Sequence, residues 1–78
     1  MKTISPIVKA AAEMAGANRQ ELATALEINA QSLTNKYTRD SFSAVDLVKI
    51  ASACGYRLAF TDEAGKAVIM FPDVTKTE

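Results

Sequence analysis

The sequence contains a single cysteine, Cys54, and no histidine. One cysteine cannot form an internal disulfide bond, and one thiol without histidine cannot supply the usual set of zinc ligands. The sequence also lacks a glycine-rich phosphate loop and a nucleophile motif, and so short a chain has too little volume to enclose a substrate. We therefore expect no metal, no cofactor and no enzymatic activity, and we expect Cys54 to be a core residue.

Long hydrophobic runs are also lacking. The longest uninterrupted apolar stretch, residues 67–71, is far shorter than the roughly 20 residues that a membrane span requires. No basic segment followed by a long apolar run opens the chain, so a secretion signal is not indicated. We expect a soluble, cytoplasmic protein without a membrane partner.

An excess of charge of one sign is missing as well, because nine Lys and Arg side chains balance nine Asp and Glu side chains. This balance argues mildly against nucleic acid, whose partners usually present a basic surface. A small DNA-binding domain needs only a local basic patch, however. Residues 1–61 carry seven basic and five acidic side chains, so the acidic excess lies near the end of the chain.

The 78 residues, 49% of them hydrophobic, are enough for one domain with one core. We predict a single domain over 1–78, with a helical part at 5–54, a β-hairpin at 56–72 and a flexible polar tail at 73–78. The expected fold class is mainly α, with four to five helices followed by the hairpin.

The first helix is predicted over residues 6–15. Ser5 is suited to the N-cap, Pro6 to the first helical position and Gly16 to the left-handed residue after the last turn. The apolar stripe expected to face the core consists of Ile7, Val8, Ala11, Met14 and Ala15.

Two short helices follow. Asn18 and Glu21 have the spacing of a capping box and predict a second helix that ends near Leu26. Asn29 is a good N-cap for a third helix over residues 30–38, so the two helices meet across about three residues. The third helix is polar around most of its circumference, and we expect it to be largely exposed.

A fourth helix begins at Ser43 and Asp46, which have similar capping spacing, and ends at Gly55. Its predicted buried face consists of Ala44, Leu47, Val48, Ala51 and Cys54. Beyond it, β-prone runs at 56–61 and 66–71 flank a turn that contains Gly65, which predicts a hairpin with a bulge at that glycine.

A bulge at Gly65 predicts the pairing of the hairpin. Phe60 then opposes Val68 on one face, and Ala59 opposes Ile69 on the other, which leaves both faces largely apolar. One face can cover the helices, and a second copy of the chain is the natural cover for the other. We therefore predict a homodimer with an interface of Ala59, Ile69 and Phe71; the alternative is a monomer whose tail folds back over that face.

A short helix, a brief turn and a second helix with a polar outward face is the arrangement that places one helix in the major groove of DNA. Gln31 and Asn35 lie one turn apart, and their paired donors and acceptors are suited to reading adenine. Thr34 is suited to a thymine methyl group or a phosphate, and Arg19 to the backbone. Further positive charge comes from Lys36 and Arg39. A merely solvated helix face is the alternative, although Ser, Thr and Asn are poor helix formers for that purpose.

Residues 18–37, NRQELATALEINAQSLTNKY, resemble the helix-turn-helix of the lambda-repressor-like (Xre) family, and the resemblance extends over about residues 5–54. Its framework residues here are Glu21, Leu22, Ala23, Leu26, Ile28 and Leu33. The resemblance implies base contacts by Ala30, Gln31 and Asn35 and phosphate contacts by Arg19 and Asn29. The chain departs from the family at Glu27, where glycine is common, and a hairpin replaces the usual fifth helix.

These observations predict a dimeric, sequence-specific repressor of prophage, mobile-element or toxin-antitoxin type that binds an inverted repeat in double-stranded DNA. The alternative is a protein-binding module, an inhibitor or antitoxin, that uses the same fold to dock on a toxin or another protein. Neutral net charge favours this alternative. The two differ in salt dependence, because DNA binding weakens steeply as salt rises.

Overall fold

The computed structural model describes residues 2–72 as four α-helices followed by a two-stranded antiparallel sheet. The helices are α1 (Ser5–Ala15), α2 (Arg19–Leu26), α3 (Ala30–Arg39) and α4 (Ala44–Ala53), and the strands are β1 (Ala59–Thr61) and β2 (Ala67–Met70). The predicted mainly α fold with a terminal hairpin is confirmed, with four helices in the described range. The predicted tail at 73–78 lies outside the described residues.

Local signals set the ends of the helices. Asn18 with Glu21 and Ser43 with Asp46 both form complete capping boxes, and the Asn29 side chain accepts a hydrogen bond from the Ser32 amide. Each helix is followed by a left-handed residue, at Gly16, Glu27, Asp40 and Gly55, with φ between 54° and 81°. The next amide then bonds to a carbonyl five residues earlier, as in Ile28 to Ala23 at 3.0 Å, which satisfies the free end of the helix.

The start of α1 differs from the prediction. Ser5 does not cap the helix but lies buried within it, and its Oγ donates to the Tyr37 carbonyl at 2.8 Å. The cap comes instead from Asp40, whose carboxylate accepts from the amides of Thr3 at 2.9 Å, Ile4 at 3.0 Å and Ser5 at 2.6 Å. A carboxylate from the end of α3 therefore replaces a local hydroxyl, and it fastens α1 to α3.

The core lies where α2 meets α3 and α4. Its buried apolar residues are Val8, Ala12, Leu22, Ala23, Leu26, Leu33 and Ile50, and Cys54 packs against them as expected. The stripe predicted for α1 is wrong in part, because Ile7 and Met14 are 67% and 81% exposed. Only the narrow face with Val8 and Ala12 is buried against the other helices, and Ile7 and Met14 lie about a third of a turn or more from that face.

The hairpin has Gly65 in a left-handed turn, as predicted, but its pairing is shifted by one residue. Phe60 opposes Ile69 and Ala59 opposes Met70, while Val68 is an extra residue in β2. The predicted pairs were wrong because they assumed a bulge at the glycine alone. The shift moves Ala59 to the face opposite Ile69, so the predicted interface residues Ala59, Ile69 and Phe71 do not share one face.

Candidate nucleic-acid interface

The turn between α2 and α3 consists of Glu27, Ile28 and Asn29. Glu27 has φ 60° and ψ 40°, the left-handed conformation that the resemblance implies for a glycine at this position. Ile28 is partly buried against the core, and Asn29 caps α3. The turn geometry is thus retained although a side chain replaces the glycine.

The outward face of α3 presents the side chains predicted to read bases. Leu33 is the one fully buried residue of α3, and it holds the helix against the core. Gln31 and Asn35 are exposed on the same face, where Gln31 Nε2 lies 3.4 Å from Asn35 Oδ1. Ala30 and Thr34 are half-buried beside them. The structure therefore brings all four predicted base-contacting residues together on one helix.

Arg19 joins the start of α2 to α3. Its Nη1 donates to Thr34 Oγ1, and its guanidinium carbon lies 5.8 Å from the centre of the Tyr37 ring. Thr34 Oγ1 in turn donates to the Ala30 carbonyl at 3.1 Å, so its hydroxyl already has a donor and an acceptor. Burial raises the pKa of Tyr37, although Arg19 acts to lower it, and the ring stays neutral under Arg19 near pH 7.

The other predicted phosphate ligands have different surroundings. Asn29 Oδ1 accepts from the Ser32 amide at 2.7 Å, which leaves its exposed amide group oriented at the start of α3 with donors to offer. Lys36 Nζ lies 2.9 Å from Asp46 Oδ2 in a partly buried ion pair. Arg39 is exposed and forms no ion pair within residues 2–72.

Two aspartates make contacts that the sequence did not predict: Asp46 pairs with Lys36, and Asp40 caps α1. Burial acts to raise the pKa of Asp46, but hydrogen bonds from Lys36 and the Ser43 amide hold it below its ordinary value. Backbone amides, first that of Thr3, lower the pKa of Asp40 to about 2. Aspartate tolerates the left-handed conformation, so the sequence could have indicated Asp40 as the residue that ends α3, but nothing local indicates that its carboxylate caps α1.

A capped helix, a three-residue turn and a second helix with an exposed polar face define a helix-turn-helix DNA-binding domain. Residues 7–60 match the family model described as the bacteriophage CI repressor helix-turn-helix domain, and the chain belongs to this family. It is therefore a DNA-binding regulator domain of the repressor type. Comparison with curated proteins and with solved structures gave no significant match. No helix within residues 2–72 has the length and apolar character needed to cross a bilayer.

Proposed function

We propose that this chain is a sequence-specific transcriptional repressor that reads an inverted-repeat operator with α3 and binds it as a homodimer. The observation that carries the proposal is the exposed pair Gln31 and Asn35, beside Arg19 at the start of α2. The base contacts proposed are Ala30, Gln31, Thr34 and Asn35, and the phosphate contacts proposed are Arg19, Asn29, Lys36 and Arg39.

The chemistry of the pair suits base reading. A carboxamide offers one donor and one acceptor to N7 and N6 of adenine, and each good bidentate contact is worth about 1–3 kcal/mol of discrimination. Gln31 Nε2 and Asn35 Oδ1 lie 3.4 Å apart, so the two carboxamides lie side by side on the exposed face of α3. The Thr34 hydroxyl is already engaged with Arg19 and the Ala30 carbonyl, so the base contact proposed for Thr34 is made by its methyl group, against a thymine methyl.

The proposed phosphate-binding cations differ in whether their charge is free to bind a phosphate. Arg19 and Arg39 are exposed, and neither forms an ion pair within residues 2–72. Lys36 is already paired with Asp46, so it can bind a phosphate only by keeping a partly neutralised charge or by breaking that ion pair. Its phosphate contact is therefore the weakest of those proposed. The description of the family as a bacteriophage repressor domain supports regulation of prophage genes.

The dimer is supported by an apolar surface that we call the hairpin patch, formed by Val45, Phe60, Ile69 and Phe71. Phe60 and Ile69 are paired across the strands and are 62% and 61% exposed. The Phe60 and Phe71 rings lie 5.5 Å apart, and Phe71 borders a small apolar pocket with Val45. An exposed patch of this kind beside open strand edges is a site of association, and Phe60 replaces Ala59 in the proposed interface.

Selection of bound fragments from a random DNA pool tests the proposal. We expect an enriched inverted repeat, with half-sites about one helical turn apart or a multiple of it. Gln31→Ala and Asn35→Ala should each weaken binding to the selected site by roughly 1–3 kcal/mol and leave nonspecific binding intact. Glu63→Ala, at the tip of the hairpin turn, is the control and should bind normally.

Two outcomes would contradict the proposal. If both carboxamide variants bind the selected site as tightly as the wild type, α3 does not read bases. If the chain enriches no sequence and binds DNA only weakly, the protein-binding alternative becomes the better interpretation. In that case its partner should bind with little dependence on salt, since an apolar interface releases no condensed counterions.

A further inference from the structure

A groove of about 430 Å³ lies between α1, the start of α2 and the second half of α3. Its floor is largely apolar and includes Ala12, Leu22 and Tyr37. The rim carries four charged side chains, which are Lys2, Lys9, Glu13 and Arg19. The groove is partly open to solvent, so an extended partner can lie in it.

The charge of this groove contrasts with that of the whole chain. Three cations against one carboxylate leave an excess of two positive charges at the rim, whereas the chain as a whole is neutral. None of Lys2, Lys9 and Arg19 forms an ion pair within residues 2–72, unlike Lys36. The groove therefore holds uncompensated positive charge, which the balanced composition conceals.

The groove is continuous with the proposed reading face. Arg19 lines the groove and also donates to Thr34, one turn before Tyr37 on α3. At the other end, Asp40 binds the amides of Thr3 and Ile4 and so fixes the backbone next to Lys2. The rim thus leads from the base-reading residues along α1 to the start of the described chain.

We propose that this groove seats the DNA backbone that flanks the bases read by α3, with Lys9 and Lys2 contacting phosphates beyond the one held by Arg19. This inference rests on the proposed function. The rim cations match phosphates in charge, and the apolar floor matches the sugars between them. Lys9 is the stronger of the two new contacts, because it projects from a formed helix rather than from the segment that precedes it.

The test is the salt dependence of binding to a fixed DNA duplex carrying the selected site. Removing one phosphate-binding cation should reduce the slope of log K against log salt by about one and weaken binding to all sequences alike. Raising the salt from 50 to 200 mM should therefore weaken DNA binding by the wild type about three to four times more than it weakens binding by Lys9→Ala. Lys9→Arg should retain the wild-type slope, and Lys66→Ala, in the hairpin, should do the same.

The outcomes separate this inference from the function on which it rests. If Lys9→Ala keeps the wild-type slope while Arg19→Ala reduces it, the groove does not hold the backbone, and DNA reading by α3 stands. If Lys66→Ala reduces the slope as much as Lys9→Ala, the effect reflects net charge and the groove proposal is wrong. If the wild type binds no DNA, both proposals are wrong. Circular dichroism of each variant checks that the helices are retained.

Discussion

The left-handed residue Glu27 gives the sharpest test of how this fold is stabilised. A residue with a Cβ atom loses about 1–2 kcal/mol in this conformation, and glycine does not. Glycine also raises the conformational entropy of the unfolded chain, which favours unfolding and offsets about 0.4–1 kcal/mol of the strain that is relieved. The Glu27 side chain is exposed and forms no hydrogen bond within residues 2–72, so little else is lost. Glu27→Gly should therefore stabilise the domain by about 0.5–1 kcal/mol.

Thermal and urea unfolding followed by circular dichroism measure this effect. For a domain of this size the expected rise in Tm is about 2–8 °C. Glu27→Ala is the matched control, because it removes the same carboxylate and keeps the Cβ, and it should stay near the wild-type stability. Asp40→Gly should be less stable than the wild type despite the same backbone relief, since it removes the carboxylate that caps α1. If Glu27→Gly is no more stable than Glu27→Ala, the argument from the left-handed conformation is wrong.

Four further predictions concern the core, a carboxylate, an ion pair and the hairpin. Leu33→Ala, at a fully buried position, should lower the free energy of unfolding by about 3–5 kcal/mol in urea titrations. Because the pKa of Asp40 is lowered to about 2 from 3.8, its contribution should persist above about pH 4 and be lost as pH falls towards 2. Asp40→Asn should flatten that pH dependence of the urea midpoint, and an unchanged profile would show that another group is responsible. Lys36→Ala should raise the pKa of Asp46 in an NMR titration, since a hydrogen-bonding cation is removed. In light scattering, Ile69→Asp should be a folded monomer under conditions where the wild type is a dimer, and a monomeric wild type would exclude the hairpin dimer.

The sequence was most informative where structure is decided locally. Asn18, Asn29 and Ser43 begin their helices as predicted, because a cap and the amides it binds lie within three residues of each other. The exposed face of α3 followed from its lack of apolar residues. The juxtaposition of Gln31 and Asn35 required nothing beyond helical periodicity.

Contacts between distant parts of the chain were harder to foresee. The carboxylate of Asp40 caps a helix that begins 35 residues earlier, and no local spacing reveals such a pair. The buried side of α1 depends on where α3 and α4 pack, so the apolar pattern alone places Ile7 and Met14 in the core although they are exposed. The hairpin pairing changed because one extra residue at Val68 reverses which side chains share a face.

The hairpin also has a consequence for motion. Phe71 borders α4 beside the pocket that includes Val45, but the strands beyond are paired only with each other within the described residues. A two-stranded sheet without further cover is marginally stable in water, so it can open while the helical core remains intact. Its amide hydrogens should exchange with solvent far faster than those around Leu33, and association should slow that exchange. Part of the interaction free energy of the dimer would then be offset by the cost of ordering the hairpin strands at its interface.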